Sequence, residues 1–175
     1  MIKSSSLILS ILFGFLLFSC KRKESIKEQV GNTHSSTKSI LYKGRSTTIM
    51  GVIGTQTLKL SLNENGKGGT YENSITYPKG STYEGVVLQD ISQKGVFNEE
   101  KTKDFGDVYT MPGDNFYQAT DNRLIEFEKS GEPTGVILYE VLNSGDEVPI
   151  SEYRNEKLSS EDRKANEKLK QKFNN

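Results

Sequence analysis

The sequence predicts an all-β domain of about six to eight antiparallel strands, followed by a short C-terminal helix. Three observations carry this. Thr57-Leu58-Lys59-Leu60-Ser61-Leu62 alternates polar and apolar, which puts Leu58, Leu60 and Leu62 on one strand face. Clusters of Gly, Pro, Asn and Asp punctuate the chain from Ile40 to about Leu142 at strand-and-turn intervals of about 8–12 residues. No long 3.6-residue period falls between them, so parallel βαβ units are not expected.

The chain begins with a segment of a different kind. Lys3 is its only charge before the apolar run Leu7 to Phe18, which Ser10 and Gly14 interrupt. The run is too short for a bilayer span, which needs about 20 residues, and fits a cleaved signal peptide over residues 1–19. Leu17-Phe18-Ser19-Cys20 resembles a bacterial lipobox, with Phe18 bulkier than the residue usual there. The resemblance implies that the Cys20 sulfur takes a diacylglycerol before cleavage. Palmitate-type acyl chains on Cys20 then hold the protein to a membrane, at about 0.8 kcal/mol per buried methylene. Cys20 is the only cysteine. Once acylated it leaves no thiol for a disulfide, a redox pair or a thiolate metal site.

Loss of residues 1–19 from 175 leaves 156, with 22 basic and 23 acidic side chains once Lys3 is gone. That balance offers no basic excess for nucleic acid. Residues 21–38 hold two aliphatic side chains and no aromatic one, too little apolar surface to offset the entropy of ordering. Residues 20–39 therefore read as a flexible tether. Lys21, Arg22 and Lys23 in it suit either anionic headgroups or plain solvation.

The β-domain is expected over residues 40–145. After the Leu58–Leu62 strand, Asn63-Glu64-Asn65-Gly66-Lys67-Gly68-Gly69 supplies hairpin-turn residues, because Gly and Asn accept positive φ. Strands are then expected at Thr70–Tyr77, Thr82–Leu88, Val108–Thr110, Phe116–Gln118, Leu124–Glu128 and Val136–Leu142. Leu58, Leu60, Leu62, Val86, Ile125, Phe127 and Ile137 are the expected core. Residues 146–175 form a charged tail. Ser159 or Ser160 can cap a helix there, Glu161 and Asp162 suit its first turn, and residues 161–172 favour helix. Leu158, Ala165, Leu169 and Phe173 make a thin apolar stripe on it.

The chain offers few groups arranged for chemistry. His34 lies in the tether, where no rigid scaffold orients it for catalysis. Gly66-Lys67-Gly68-Gly69 lacks the Gly-Lys-Ser/Thr ending and following helix of a phosphate loop. Asp104, Asp107 and Asp114 offer oxygen ligands to a cation but without EF-hand order. Glu99-Glu100 and Glu126/Glu128 are paired carboxylates of the sort any acidic surface shows; the latter two share a strand face with Leu124, opposite Ile125 and Phe127. No catalytic residue, metal ligand or cofactor site is assigned, and enzymatic activity is not expected.

Tyr42-Lys43-Gly44, then Leu58 to Gly66, then Thr70-Tyr71, resemble the opening of the NlpE N-terminal domain family. Gly95-Val96-Phe97 is similar to that family's Gly-x-Trp/Tyr element, and Leu124 to Gly131 to its Leu-x-x-Leu-Asp-x-x-Gly stretch. The resemblance spans Tyr42 to Leu142 and implies a small lipocalin-like barrel on an outer-membrane lipoprotein linked to copper tolerance and envelope stress. The family often carries a Cys-x-x-Cys, whose positions here are Thr48 and Gly51, so thiol chemistry does not carry over. Met50 is a soft donor nearby, and alone makes a poor copper site. Lys21 after Cys20, where Asp favours inner-membrane retention in enteric bacteria, favours the outer membrane. The expected function is non-enzymatic, working through contacts with an envelope protein partner in stress sensing or maintenance. A barrel binding a small apolar ligand or lipid, and an inhibitor or immunity-type domain, are the alternatives.

Overall fold

The computed structural model describes residues 38–47, 51–152 and 158–174. The signal segment, Cys20, the tether up to residue 37 with His34, and Thr48 and Met50 lie outside the described residues.

Among the described residues, eight antiparallel strands close into a barrel: β1 (Ser39–Thr47), β2 (Ile53–Leu62), β3 (Gly69–Thr76), β6 (Ile91–Thr102), β7 (Gly106–Thr110), β8 (Asn115–Thr120), β9 (Arg123–Glu128) and β10 (Pro133–Glu140). Between β3 and β6 stand β4 (Thr82–Tyr83) and β5 (Val86–Val87), and β11 (Ile150–Ser151) and helix α1 (Ser160–Asn174) follow. The expected all-β barrel with a C-terminal helix is the observed architecture. Each strand pairs with the next along the main sheet, and β1 closes on β10 through Tyr42 opposite Glu140 and Lys43 opposite Tyr139.

The leucine strand lies where expected. Leu58 and Leu60 are fully buried inside the barrel, and Leu62 packs half-buried at its end. The turn that follows is held by the Asn63 N–H donating to the Gly68 carbonyl at 3.0 Å. Gly68 has φ 74°, and a Cβ there would come within 2.3 Å of the Phe97 carbonyl oxygen, so the close approach admits only glycine.

Three expectations need correcting. The run Thr82–Leu88 is not one strand. Glu84 (φ 48°) and Gly85 (φ 81°) turn it back as a tight β4–β5 hairpin, leaving Val86 67% exposed and outside the core. The 12-residue β6, the longest strand, carries so many polar side chains that alternation does not announce it; it is held by pairing with β3 and β7. Third, Ile125, Phe127 and Ile137 sit on the outer wall. Phe127 stacks on Phe116 (centroids 5.5 Å apart) and meets the Phe105 edge at 4.9 Å, so three phenylalanines cover one another outside the barrel. The inner residue of that strand is Leu124, fully buried.

At the seam β1 leaves β10 and runs parallel to β11, with Arg45 opposite Ile150. The Ser151 hydroxyl fills the gap in the ladder: it accepts the Ile137 N–H and donates to the Ile137 carbonyl, both at 3.0 Å. The outer edge of β11 is finished by the helix. Asn166, 1% exposed, accepts the Ile150 N–H and donates from Nδ2 to the Ile150 carbonyl at 2.9 Å, as a further strand would. Ser159 caps the helix by accepting the Asp162 N–H at 3.1 Å. Leu158 is buried and the Phe173 ring lies 4.9 Å from that of Tyr139, so both ends of the thin apolar stripe are packed. Ala165 is exposed instead, because the neighbouring Asn166 takes the inward position to reach the strand edge.

Candidate functional site

The barrel is packed at one end and hollow at the other. The packed end holds Tyr42, Leu58, Leu60, Phe97, Tyr109, Leu124 and Leu138, with Phe97 and Tyr109 edge to face at 5.3 Å. At one height around the wall, the inward side chains change character. On β2 they pass from Leu60 and Leu58 to Gln56 and Gly54, on β3 from Tyr71 to Asn73 and Ile75, and on β9 from Leu124 to Glu126. On β1 the change is from Tyr42 to Ser46. Smaller and polar side chains leave a cavity of about 560 Å³, roofed by the β7–β8 turn Met111-Pro112-Gly113-Asp114. Such a volume lies within the range of small-molecule sites, about 300–1,000 Å³.

A chain of hydrogen bonds crosses its wall. Gln56 Nε2 donates to Asn73 Oδ1 at 3.1 Å and to the Tyr117 hydroxyl oxygen at 3.3 Å. The Tyr117 hydroxyl donates to Glu126 Oε1 at 3.0 Å, across the β8–β9 pair where the two residues stand directly opposite. Glu126 Oε2 accepts the Thr134 hydroxyl at 2.7 Å. Thr134 stands at a bulge in β10, where the register shifts and Gly135 adopts φ 91°; Thr134 and Val136, two residues apart, are both buried. Burial first, and then the Glu126 charge, hold the Tyr117 phenol well above its ordinary pKa, so it stays a donor.

Two hydroxyls near the end of β1, Ser46 Oγ and Thr47 Oγ1, are buried with no hydrogen-bond partner among the described residues. Buried polar groups are rarely left unpaired, and one without a partner costs about 1–3 kcal/mol.

The residues singled out by sequence are distributed as follows. Glu126, read there as surface acid, is a wall residue of the cavity and accepts two hydroxyl donors. Glu99 lies half-buried on β6 facing Tyr109 across the ladder, and Glu100 is exposed. Asp104 and Asp107 flank the β6–β7 turn at one end of β7, where Asp107 meets Lys101 at 3.8 Å; Asp114 lies beyond the other end, at the cavity. These three do not converge, and no group of acidic or histidine side chains suited to a metal is found among the described residues. Gly66 to Gly69 form the β2–β3 turn.

Gln56, Asn73, Tyr117 and Thr134 have no place in the sequence reading. Their signal is the inward register itself: Gln56 stands two before Leu58, and Glu126 two after Leu124. No family model, curated protein or solved structure matches this chain.

Proposed function

We propose that the chain is a lipid-anchored envelope protein whose barrel binds one small amphipathic molecule in its hollow end. The cavity of about 560 Å³, walled by tyrosine, isoleucine and methionine and crossed by one fixed polar chain, carries this reading. Apolar walls supply burial, and a few placed polar groups set orientation, which is the usual construction of a small-molecule site. The lipobox-like Leu17-Phe18-Ser19-Cys20 supports the membrane anchor.

The experiment uses the absence of tryptophan from the chain. Gln93 is an exposed residue on the cavity rim, so Gln93→Trp installs a single reporter there. Native mass spectrometry of the purified protein is expected to show a non-covalent small mass, and its removal to change the Gln93→Trp emission. Ser46→Phe, which fills the cavity and breaks no hydrogen bond, is expected to remove that mass. Retention of the mass by a folded Ser46→Phe, or its absence from wild-type protein, sinks the proposal.

The exposed Tyr83, Val86 and Val87 of the β4–β5 hairpin favour a second reading, contact with an envelope protein through this hairpin in the manner the NlpE resemblance implies. Replacing Val86 and Val87 by Ser and finding envelope-stress reporters and copper tolerance unchanged counts against it.

A further inference from the structure

The charge and donor pattern of the cavity names a class of ligand. The described residues that line it include two carboxylates, Glu126 and Asp114, and no lysine, arginine or histidine. Glu126 is set in the wall rather than on the surface: each of its oxygens accepts one hydroxyl, from Tyr117 at 3.0 Å and Thr134 at 2.7 Å. A carboxylate has about four lone-pair sites, so two such bonds fix its orientation and leave acceptor capacity. Both donors are neutral, and neither cancels its charge. A negative group held in a concave site with apolar walls attracts cations more strongly than it would in water.

A second feature points the same way. Tyr71, Tyr77 and Tyr117 line the cavity too, and aromatic rings are preferred surroundings for organic cations. An anionic ligand meets the Glu126 and Asp114 charges with no counter-charge in the wall.

We infer that the barrel is selective for an amphipathic organic cation, a primary amine on a compact apolar body, with Glu126 binding the ammonium and Asp114 drawing it to the mouth. This rests on the ligand-binding reading above and specifies its ligand.

Three probes of one shape separate the two: 1-naphthylmethylamine, 1-naphthylmethanol and 1-naphthylacetate, titrated into the delipidated full mature protein by calorimetry. The amine is expected to bind at least about tenfold more tightly than the alcohol, and the acetate more weakly than either. Glu126→Gln keeps a group that can bond both Tyr117 and Thr134. It is expected to bind the alcohol as wild type does and to lose the preference for the amine. Equal affinity for amine and alcohol in wild-type protein, or a preference that persists in a folded Glu126→Gln, overturns the cation inference while the binding cavity stands. Binding of none of the three overturns both. Circular dichroism of each variant establishes that it is folded.

Discussion

Removal of the Asn166 side chain is expected to destabilise the barrel out of proportion to its size. Asn166 is the one buried residue of α1, and it satisfies both backbone groups of Ile150, which is itself 2% exposed. In Asn166→Ala the Ile150 N–H and carbonyl lose their partners together. Each orphaned buried group costs about 1–3 kcal/mol, giving roughly 2–6 kcal/mol for the pair, reduced to the extent that water reaches the strand edge. Domains of this size have about 5–15 kcal/mol in all, so the loss is a large fraction of the stability. The assay is urea unfolding followed by far-ultraviolet circular dichroism, with amide exchange at Ile150 as a local readout. Ala165→Lys is the control, since Ala165 is exposed, and a change within about 0.5 kcal/mol is expected for it. An Asn166→Ala midpoint equal to wild type, with unchanged protection at Ile150, refutes the assignment of Asn166 as the group that finishes the β11 edge.

Alkaline pH is expected to weaken the fold. Burial raises the pKa of Tyr42, Tyr109, Tyr117 and Tyr139, so above about pH 10 the unfolded chain releases phenolic protons that the native state keeps. Stability should be level below that pH and fall above it by up to about 1.4 kcal/mol per pH unit for each such tyrosine, read by denaturant titration alongside phenolate absorbance. Gly44→Ala should cost about 1–3 kcal/mol, because its Cβ would lie 2.5 Å from Leu138 Cδ2 and 2.6 Å from the Ile137 carbonyl oxygen, at the closure of β1 on β10. Thermal unfolding measures it, and an unchanged transition would show that the seam can spread. Glu84→Asn should strengthen the β4–β5 hairpin, since Asn tolerates the φ of 48° better than Glu; slower exchange of the Leu88 amide, bonded to the Ser81 carbonyl at 2.9 Å, is the readout.

The fold class is legible in local sequence. Alternation in Leu58–Leu62, the Asn/Gly-rich turn after it and the capped C-terminal helix are signals carried within a few residues, where backbone preference and face periodicity act. Local sequence also places Glu126 on the same face as Leu124, opposite Ile125 and Phe127. Which face points inward is another matter, because both carry apolar residues and the outer one is covered by Phe105, Phe116 and Phe127 packing on one another. Only barrel closure decided that Leu124 and Glu126 face the interior. The cavity needed the same decision on several strands at once: Gln56, Asn73, Tyr117, Glu126 and Thr134 come from five strands, and their hydrogen bonds exist only in the register that the ladders impose. Asn166 shows the limit most clearly. On a helical wheel it is a polar residue beside an apolar stripe, and it is buried because a strand edge it cannot see in its own sequence neighbourhood has two backbone groups to satisfy.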